Sequence, residues 1–190
     1  MAKPMKLLGI AGSLSAVSRN RAVLKTVQEH LPVAIELEVF DLKDVPLYDP
    51  ALDREVSPAP VAALKRAIET ADAVIIASPE YNYGMPGVLK NALDWASRPA
   101  YRSPLKDKPV GMLTVSPAST GGVRAQRDLK YVLTGTLSQL VPHREVAIAG
   151  AGDKIQDGRL VDEQALAAAI GMVGEVVAFV GDRRCASRAA

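Results

Sequence analysis

The sequence predicts a three-layer α/β sandwich that is doubly wound around one parallel sheet. Short apolar runs alternate with longer helical patterns along the whole chain. The first, third and fourth of these runs are almost wholly apolar, as in strands that are buried on both faces of a parallel sheet. The length of 190 residues allows one sizeable core but is short for two ordinary domains. We therefore expect a single domain over residues 1–190, with a flexible tail over residues 182–190.

Five strands and five helices are expected, in alternation. The strands cover residues 6–12, 35–42, 72–79, 109–117 and 144–150, and the helices cover residues 18–29, 58–70, 86–97, 122–140 and 162–181. The second strand alternates apolar and acidic residues, which favours an edge position with one face in water. Right-handed crossovers then favour the strand order 2-1-3-4-5. In such a sheet, ligands bind outside the carboxyl ends of the strands, at the switch point between strands one and three.

Composition and charge argue against several classes of protein. A net charge of +2 is too small to indicate binding to nucleic acid. The sequence has no run of 18 or more uncharged apolar residues, so we expect no membrane span. The first apolar run leads into a Gly/Ser loop, which suits a buried strand better than a signal peptide, so we expect a cytoplasmic protein. The single cysteine, Cys185, and the isolated His30 and His143 form no metal-ligand pattern. The proline-rich stretch 45–60 is expected to be an ordered surface loop that flanks the site or a partner subunit.

The loop after the first strand predicts a site for an anion. A glycine there can take a positive φ, several hydroxyl groups can donate, and the free N–H groups of the following helix point the same way. The residues concerned are Gly12, Ser13, Ser15, Ser18, Arg19 and Asn20. The loop lacks both GK[ST] and GxGxxG, so a terminal monophosphate fits better than a nucleoside triphosphate or a pyrophosphate. The alternative is that Ser18 or Asn20 only caps a helix.

The segment after the third strand, SPEYNYGMPGVLKNALDW, predicts a second part of the same site. A rigid turn follows the buried strand and carries two of the chain's eight aromatic residues next to an acid and an amide. The turn residues are Pro79, Glu80, Tyr81, Asn82 and Tyr83. Tyrosine faces and free backbone N–H groups suit a flat, partly polar ring, although these tyrosines have an ordinary structural role as their alternative. On the next helix, Lys90 and Asp94 are expected to form an i, i+4 pair.

Together these segments resemble one protein family. The runs GSLSAVSRN and SPEYNYGMPGVLKNALDW are similar to those of the flavodoxin-like NAD(P)H-dependent FMN reductases, the group that includes bacterial quinone and chromate reductases. The resemblance extends over most of the chain, including PVGMLTVSPASTGGVRAQRDLK after the fourth strand. The Pro-Glu-Tyr-Asn run with KNALDW downstream is its most specific part.

The resemblance implies a cofactor and the residues that hold it. The cofactor is FMN, and its 5′-phosphate would lie on the backbone of the first loop and on Ser13, Ser18 and Asn20. The turn 79–83 would contact the isoalloxazine, with Glu80, Tyr81 and Asn82 nearest. The pyrimidine end would be closed by Ser116 and by the backbone of Gly121 and Gly122. The family often has arginine at the position of Ser15, so Ser15 or Arg19 is expected to take the place of that residue.

The resemblance also implies an enzyme. NADPH or NADH would give hydride to FMN, and the electrons would leave to a quinone, flavin, chromate or similar acceptor in a ping-pong cycle. The flavin carries this chemistry, so no catalytic side chain is expected. Members usually form homodimers or homotetramers with the flavin near a subunit boundary. Arg124 is expected to bind the phosphate of the dinucleotide or to form an interface ion pair with Glu145.

Three other classes share this fold. A flavodoxin-type electron carrier without direct NAD(P)H oxidation is the alternative, but such carriers are usually strongly acidic and this chain is slightly basic. A receiver-type signalling domain needs acidic residues where this chain has Ala11, Gly12 and Ser13, and a low-molecular-weight phosphatase needs a cysteine in that loop. Site chemistry therefore argues against the last two.

Overall fold

A parallel sheet lies at the centre of the protein. We describe residues 4–53 and 57–189 in a computed structural model of the chain, with the backbone only for residues 187–189. The order β2-β1-β3-β4-β5 confirms the predicted strand order. The strands are β1 (Met5–Ala11), β2 (Ile35–Phe40), β3 (Ala73–Ser78), β4 (Pro109–Val115), β5 (Gln139–Leu140) and β6 (Val146–Ile148). A separate antiparallel hairpin joins β7 (Ile155–Gln156) and β8 (Arg159–Leu160).

Helices cover both faces of the sheet and complete the predicted three-layer α/β sandwich. They are α1 (Arg19–His30), α2 (Ala59–Thr70), α3 (Gly87–Ala96), α4 (Val123–Gly135), α5 (Ala151–Lys154) and α6 (Glu163–Ala189). One core packs α1 and α6 against the sheet, and the other packs α2, α3 and α4 against its opposite face. Every residue of β3 and β4 is buried, as their apolar sequences predict. In β2 at the edge, only Leu37 is buried.

The fifth strand differs from the prediction, because β4 pairs with two separate segments. Its start, Pro109–Val110, pairs with β5, and its end, from Leu113 to Val115, pairs with β6. The predicted fifth strand, 144–150, therefore corresponds to the shorter β6 alone. The predicted helix 122–140 is too long, since α4 ends at Gly135 and Leu137 takes a left-handed φ of 62° before β5 begins.

Helix α6 is longer than predicted. The helix end expected at residue 181 is wrong, because α6 continues to Ala189, and Arg183 donates to the carbonyl of Asp107 at 3.1 Å while Arg184 pairs with Asp72. The flexible tail over 182–190 stays a prediction. By length and composition the segment Glu163–Ala186 is apolar enough to cross a membrane, and residues on one of its faces belong to the core.

The amino end of the sheet holds a half-buried lysine. The Nζ of Lys108 donates to the carbonyls of Glu69 at 3.3 Å and Ala71 at 2.5 Å, where α2 ends. Burial lowers the pKa of this ammonium group from 10.5, against the attraction of the Asp72 and Glu69 carboxylates. Lys108 therefore closes the carboxyl end of α2 at the edge of the fold opposite to the candidate site.

The loop 45–60 is ordered over its described residues and is fixed to α3; residues 54–56 lie outside the described part of the chain. The carbonyl of Pro46 accepts from Asn91 at 2.9 Å and from the Trp95 indole at 2.8 Å. Tyr48 donates its backbone N–H to the Asn91 side chain at 2.7 Å, and its ring meets Trp95 edge-on. The expected position beside a partner subunit stays a prediction.

Candidate functional site

Three loops meet at the carboxyl ends of β1, β3 and β4. The N–H of Gly12 donates to the Ala77 carbonyl at 2.8 Å, which ties the first loop to β3. A Cβ at Gly12 would lie 3.0 Å from Leu89 and 3.3 Å from Pro79, so any larger residue would crowd both side chains. Gly12 does not use the positive φ that glycine permits, because it is not among the left-handed glycines of the described chain. The preference for a small residue here is therefore steric.

The first loop presents free donors around the start of α1. The side chain of Ser18 accepts from the N–H of Arg21 at 3.2 Å, so Ser18 is the N-cap of α1, and both Ser13 and Ser18 are buried. Across the described residues, the N–H groups of Ser13, Leu14, Arg19 and Asn20 meet no acceptor. A helix N-terminus with free N–H groups is suited to a phosphate group. Capping by Ser18 and binding of an anion are thus compatible.

Asn20 carries the clearest sign of a missing partner. Its side chain is only 3% exposed, and its Oδ1 has no hydrogen-bond partner in the described part of the protein. An unsatisfied buried oxygen costs about 1–3 kcal/mol unless a ligand or water completes it. Because an amide carries a donor and an acceptor on one plane, a half-turn of the side chain offers either group to a ligand.

Ser15 and Arg19 lie apart from the buried donors. Ser15 is exposed, and its carbonyl accepts from the Ser18 N–H at 3.1 Å. Arg19 is also exposed and lines a depression of 340 Å³ together with Arg21 and Lys25, between α1 and the β7–β8 hairpin. The structure therefore does not place these two side chains with Ser13 and Asn20 in one buried cluster.

The turn after β3 is a tight reversal. Tyr81 and Gly84 exchange backbone hydrogen bonds of 3.0 and 3.1 Å, and the two residues between them, Asn82 and Tyr83, have φ values of 49° and 69°. Positive φ at both central positions is the pattern of a type I′ turn. The left-handed backbone at Tyr83 costs about 1–3 kcal/mol. The side chains of Tyr81 and Tyr83 are exposed, so the turn presents aromatic surface to an incoming molecule.

The turn is held in place from α4. Met85 donates its N–H to Asp128 at 2.9 Å, and the guanidinium of Arg124 lies 4.6 Å from the centre of the Tyr83 ring. Such a cation–π contact stabilises by about 0.5–1 kcal/mol at an exposed site. Glu80 accepts from both the backbone and the side chain of Arg124. These contacts offset part of the cost of the left-handed turn.

The loop after β4 is shaped by two left-handed glycines. Gly121 has a φ of 63°, and a Cβ there would lie 2.9 Å from the backbone of Ala147; Gly122 has a φ of 89°. The N–H of Gly121 is already bound to Ala118 at 3.2 Å, whereas that of Gly122 has no acceptor among the described residues. Of the two predicted backbone contacts, Gly122 therefore keeps a free donor. Ser116 is buried, and its Oγ accepts from Ala118 at 3.1 Å.

Several supporting residues had no signal in the sequence. Gln126 is fully buried under this loop and donates to Thr114 at 3.0 Å and to the Val146 carbonyl at 2.8 Å. The contacts of Asp128 with Met85 and of Arg124 with Glu80 were also missed, because each joins residues that are more than 40 positions apart. Within the chain Arg124 pairs with Glu80, and the ion pair expected between Arg124 and Glu145 of another subunit stays a prediction. The expected pair between Lys90 and Asp94 is confirmed, at 2.7 Å.

This combination defines a class of protein: a flavodoxin-like α/β protein whose loops at the switch point present free N–H groups of the kind that bind phosphate. Residues 5–153 match the family model described as NADPH-dependent FMN reductase. The chain is 38% identical over 166 residues to the NAD(P)H-dependent FMN reductase of Pseudomonas aeruginosa, with 87% of this chain and 89% of that protein covered. It is 35% identical over 184 residues to a quinone reductase of Escherichia coli, with 94% and 95% covered.

A solved structure agrees with these relatives. The flavoenzyme NAD(P)H:(acceptor) oxidoreductase FerB from Paracoccus denitrificans superposes with a TM-score of 0.84 at 30% identity, over 94% of this chain and 98% of FerB. The chain belongs to the NADPH-dependent FMN reductase family. It is an oxidoreductase that uses FMN and passes electrons from NAD(P)H through FMN to an acceptor. The predicted family, cofactor and activity are confirmed, and the comparisons do not support the electron-carrier alternative.

Proposed function

We propose that the loops after β1, β3 and β4 hold one FMN, and that quinones are the main acceptors of its electrons. The free N–H groups on the first loop, beside the buried and unsatisfied Asn20, carry this proposal. FMN supplies the redox chemistry, since its ring takes hydride from the nicotinamide and releases electrons to the acceptor. The quinone assignment is supported by the name of the Escherichia coli relative.

Each loop has a separate task in this proposal. The side chains and the N–H groups of Ser13 and Asn20, with the dipole of α1, bind the phosphate. Pro79 and the turn 80–83 orient the ring. The exposed Tyr81 and Tyr83 offer aromatic surface on which a flat substrate can stack. The free N–H of Gly122 lies on the third loop, where a fixed donor stabilises negative charge at the pyrimidine end of the ring.

The remaining parts of the proposal concern the cycle and the assembly. One open ring face serves both substrates in turn, so NAD(P)+ leaves before the acceptor enters. The protein acts in the cytoplasm as a single domain, in a homodimer or homotetramer with the site near a subunit boundary. The exposed Tyr83, Arg127 and Tyr131, which line a cleft of 500 Å³ beside the turn, are consistent with such a boundary.

A flavin-binding comparison tests the phosphate site. We expect the double variant Ser13→Ala, Asn20→Ala to bind FMN at least tenfold more weakly but riboflavin about as well as the unchanged protein, because riboflavin lacks the phosphate. Ser15→Ala in the same loop serves as the control and should change neither affinity, since its hydroxyl is exposed. An unchanged FMN affinity in the double variant would contradict the assignment.

Steady-state kinetics test the reaction. We expect FMN-loaded protein to be bleached by NADH or NADPH without oxygen, and double-reciprocal plots against 1,4-benzoquinone to give the parallel lines of a ping-pong cycle. Free FMN and chromate, tested as acceptors at the same concentrations, rank the three acceptor classes. A protein that takes up no FMN, or that prefers chromate or free flavin to the quinone, would overturn the corresponding part of the proposal.

A further inference from the structure

Glu80 lies where the turn after β3 meets the start of α4. We propose that Glu80 is a positioning residue, which locks the loop 116–122 to the turn 79–84 so that both present their contacts to the flavin ring as one rigid unit. The inference rests on the proposed function, because the two loops are assigned there to the ring. It gives the Glu80 side chain a role through other residues, and leaves only its backbone for direct contact with the ring.

The first observation is a helix cap supplied from another segment. Gly122 is the N-cap of α4, and it has no side chain with which to accept a hydrogen bond. A Cβ at this position would lie 3.0 Å from Thr114 and the φ is 89°, so an ordinary capping residue would be strained there. The Oε2 of Glu80 accepts the N–H of Arg124 at 3.0 Å instead, on the second residue of α4. A carboxylate at this end also suits the helix dipole.

The second observation is that the same carboxylate orients the Arg124 side chain. Its Oε1 accepts from Nη1 of Arg124 at 3.1 Å, and that guanidinium lies over the ring of Tyr83. Through Arg124, Glu80 therefore also helps to fix Tyr83, which lies in the same turn as Glu80. Both carboxylate oxygens are engaged in this way, one by the backbone of α4 and one by the guanidinium.

The third observation is that the carboxylate of this pair is shielded from water. The Glu80 side chain is only 10% exposed and its partner Arg124 is 45% exposed, whereas in the pair between Glu29 and Arg159 the two side chains are 44% and 58% exposed. Exposed pairs add little to stability because water screens them and their side chains lose entropy. Glu80 also lies beside the third loop, since a Cβ added to Gly122 would be 3.5 Å from that of Glu80. The shielded position of the Glu80 carboxylate makes its contacts a geometric constraint, which is how supporting residues preorganise a binding site.

Three variants separate the two halves of the lock. Glu80→Ala removes both contacts, Arg124→Ala removes only the side-chain contact and leaves the backbone N–H, and Glu80→Gln keeps an acceptor oxygen but loses the charge. Glu29→Gln is the matched control, because it makes the same chemical change in an ion pair far from the two turns. Asn91→Ala is a second control, since it weakens the fold at the loop 45–60 without touching either turn.

Riboflavin affinity and amide exchange are the two measurements. We expect Glu80→Ala to weaken riboflavin binding about tenfold, the size of a lost charge-assisted cap, and Glu80→Gln and Arg124→Ala to weaken it by about threefold. FMN affinity should fall by the same factors, because the change acts on the ring and not on the phosphate. In the flavin-free protein, exchange of the Arg124 amide should accelerate about tenfold in Glu80→Ala and stay within about twofold in Glu80→Gln. Both controls should leave riboflavin affinity unchanged.

The outcomes are distinct. Faster exchange together with weaker riboflavin binding supports the lock. Unchanged exchange at Arg124 in Glu80→Ala overturns it, and so does faster exchange with unchanged riboflavin affinity, since the constraint would then not reach the ring. If Asn91→Ala weakens riboflavin as much as Glu80→Ala, a general loss of stability explains the effect and the proposal fails. If Glu80→Ala does not fold, the riboflavin affinities of Glu80→Gln and Arg124→Ala decide: a loss of about threefold in both supports the lock, and an unchanged affinity in either overturns it. If the unchanged protein binds neither FMN nor riboflavin, the proposed function fails, while the exchange measurement still decides whether Glu80 fixes the start of α4.

Discussion

Gly121 offers a sharp test of how the loop after β4 is built. The substitution Gly121→Ala introduces a Cβ 2.9 Å from the backbone carbon and oxygen of Ala147, and those atoms belong to β6 and cannot move aside as a side chain could. The φ of 63° adds the left-handed penalty for an L side chain, about 1–2 kcal/mol. Overpacking against a fixed neighbour adds about 1–3 kcal/mol. We therefore expect Gly121→Ala to lower the free energy of unfolding by about 3 kcal/mol.

Urea denaturation of the flavin-free protein, followed by circular dichroism, measures this loss. With a slope of about 2 kcal/mol per molar urea, a change of about 3 kcal/mol lowers the midpoint by about 1.5 M. Gly135→Ala is the matched control, because it lies in α4 with no heavy atom within 4 Å of the added Cβ and has no left-handed φ. Alanine there should be neutral or stabilising by up to about 1 kcal/mol. If Gly121→Ala unfolds at the same urea concentration as the unchanged protein, the steric reasoning for this loop is wrong.

Three further predictions follow from the described contacts. Ser18→Ala should lower the free energy of unfolding by about 1 kcal/mol through the lost cap, and should weaken FMN but not riboflavin binding; equal losses for both flavins would contradict the phosphate assignment. Asn91→Ala removes the hydrogen bonds to Pro46 and Tyr48, so it should cost about 2 kcal/mol and speed proteolysis within the loop 45–60; a protease pattern like that of the unchanged protein would contradict this anchoring. Burial lowers the pKa of Lys108 in the folded protein below 10.5, so the unfolded chain binds more protons between the two pKa values and stability rises with pH across that window. In urea titrations, the free energy of unfolding of the wild type should therefore increase relative to that of Lys108→Met as the pH rises towards 10.5. A difference between the two proteins that does not depend on pH would refute this prediction.

The sheet was predictable because its signals are local. The apolar runs of β1, β3 and β4 and the alternation in β2 each lie within a few consecutive residues, and the crossover rule then orders them. β5 contains only Gln139 and Leu140, which is too short for any period to be read. The end of α6 was misplaced because Gly181 and the charged residues after it resemble a helix end, whereas Arg183 and Arg184 find partners in other elements.

The position of the candidate site was predictable, but its internal contacts were not. Parallel strands bring their carboxyl ends to one edge, so the loops beginning near Gly12, Pro79 and Ser116 had to be neighbours. Glu80 and Arg124 are 44 residues apart, and nothing in either segment reports that one completes the helix of the other. The neighbours of Gly12 could not be predicted either, because the crowding at this position comes from Leu89 and Pro79, which lie far away in the sequence.

The course of α6 has a practical consequence for work with this protein. Arg183 and Arg184 attach the last turns of that helix beside Asp107 and Asp72, at the amino ends of β4 and β3. A label, affinity tag or surface linker joined to the end of α6 therefore emerges from the side of the molecule opposite to the three loops. Tethering through this end to an electrode or a bead would leave the three loops directed towards the bulk solution.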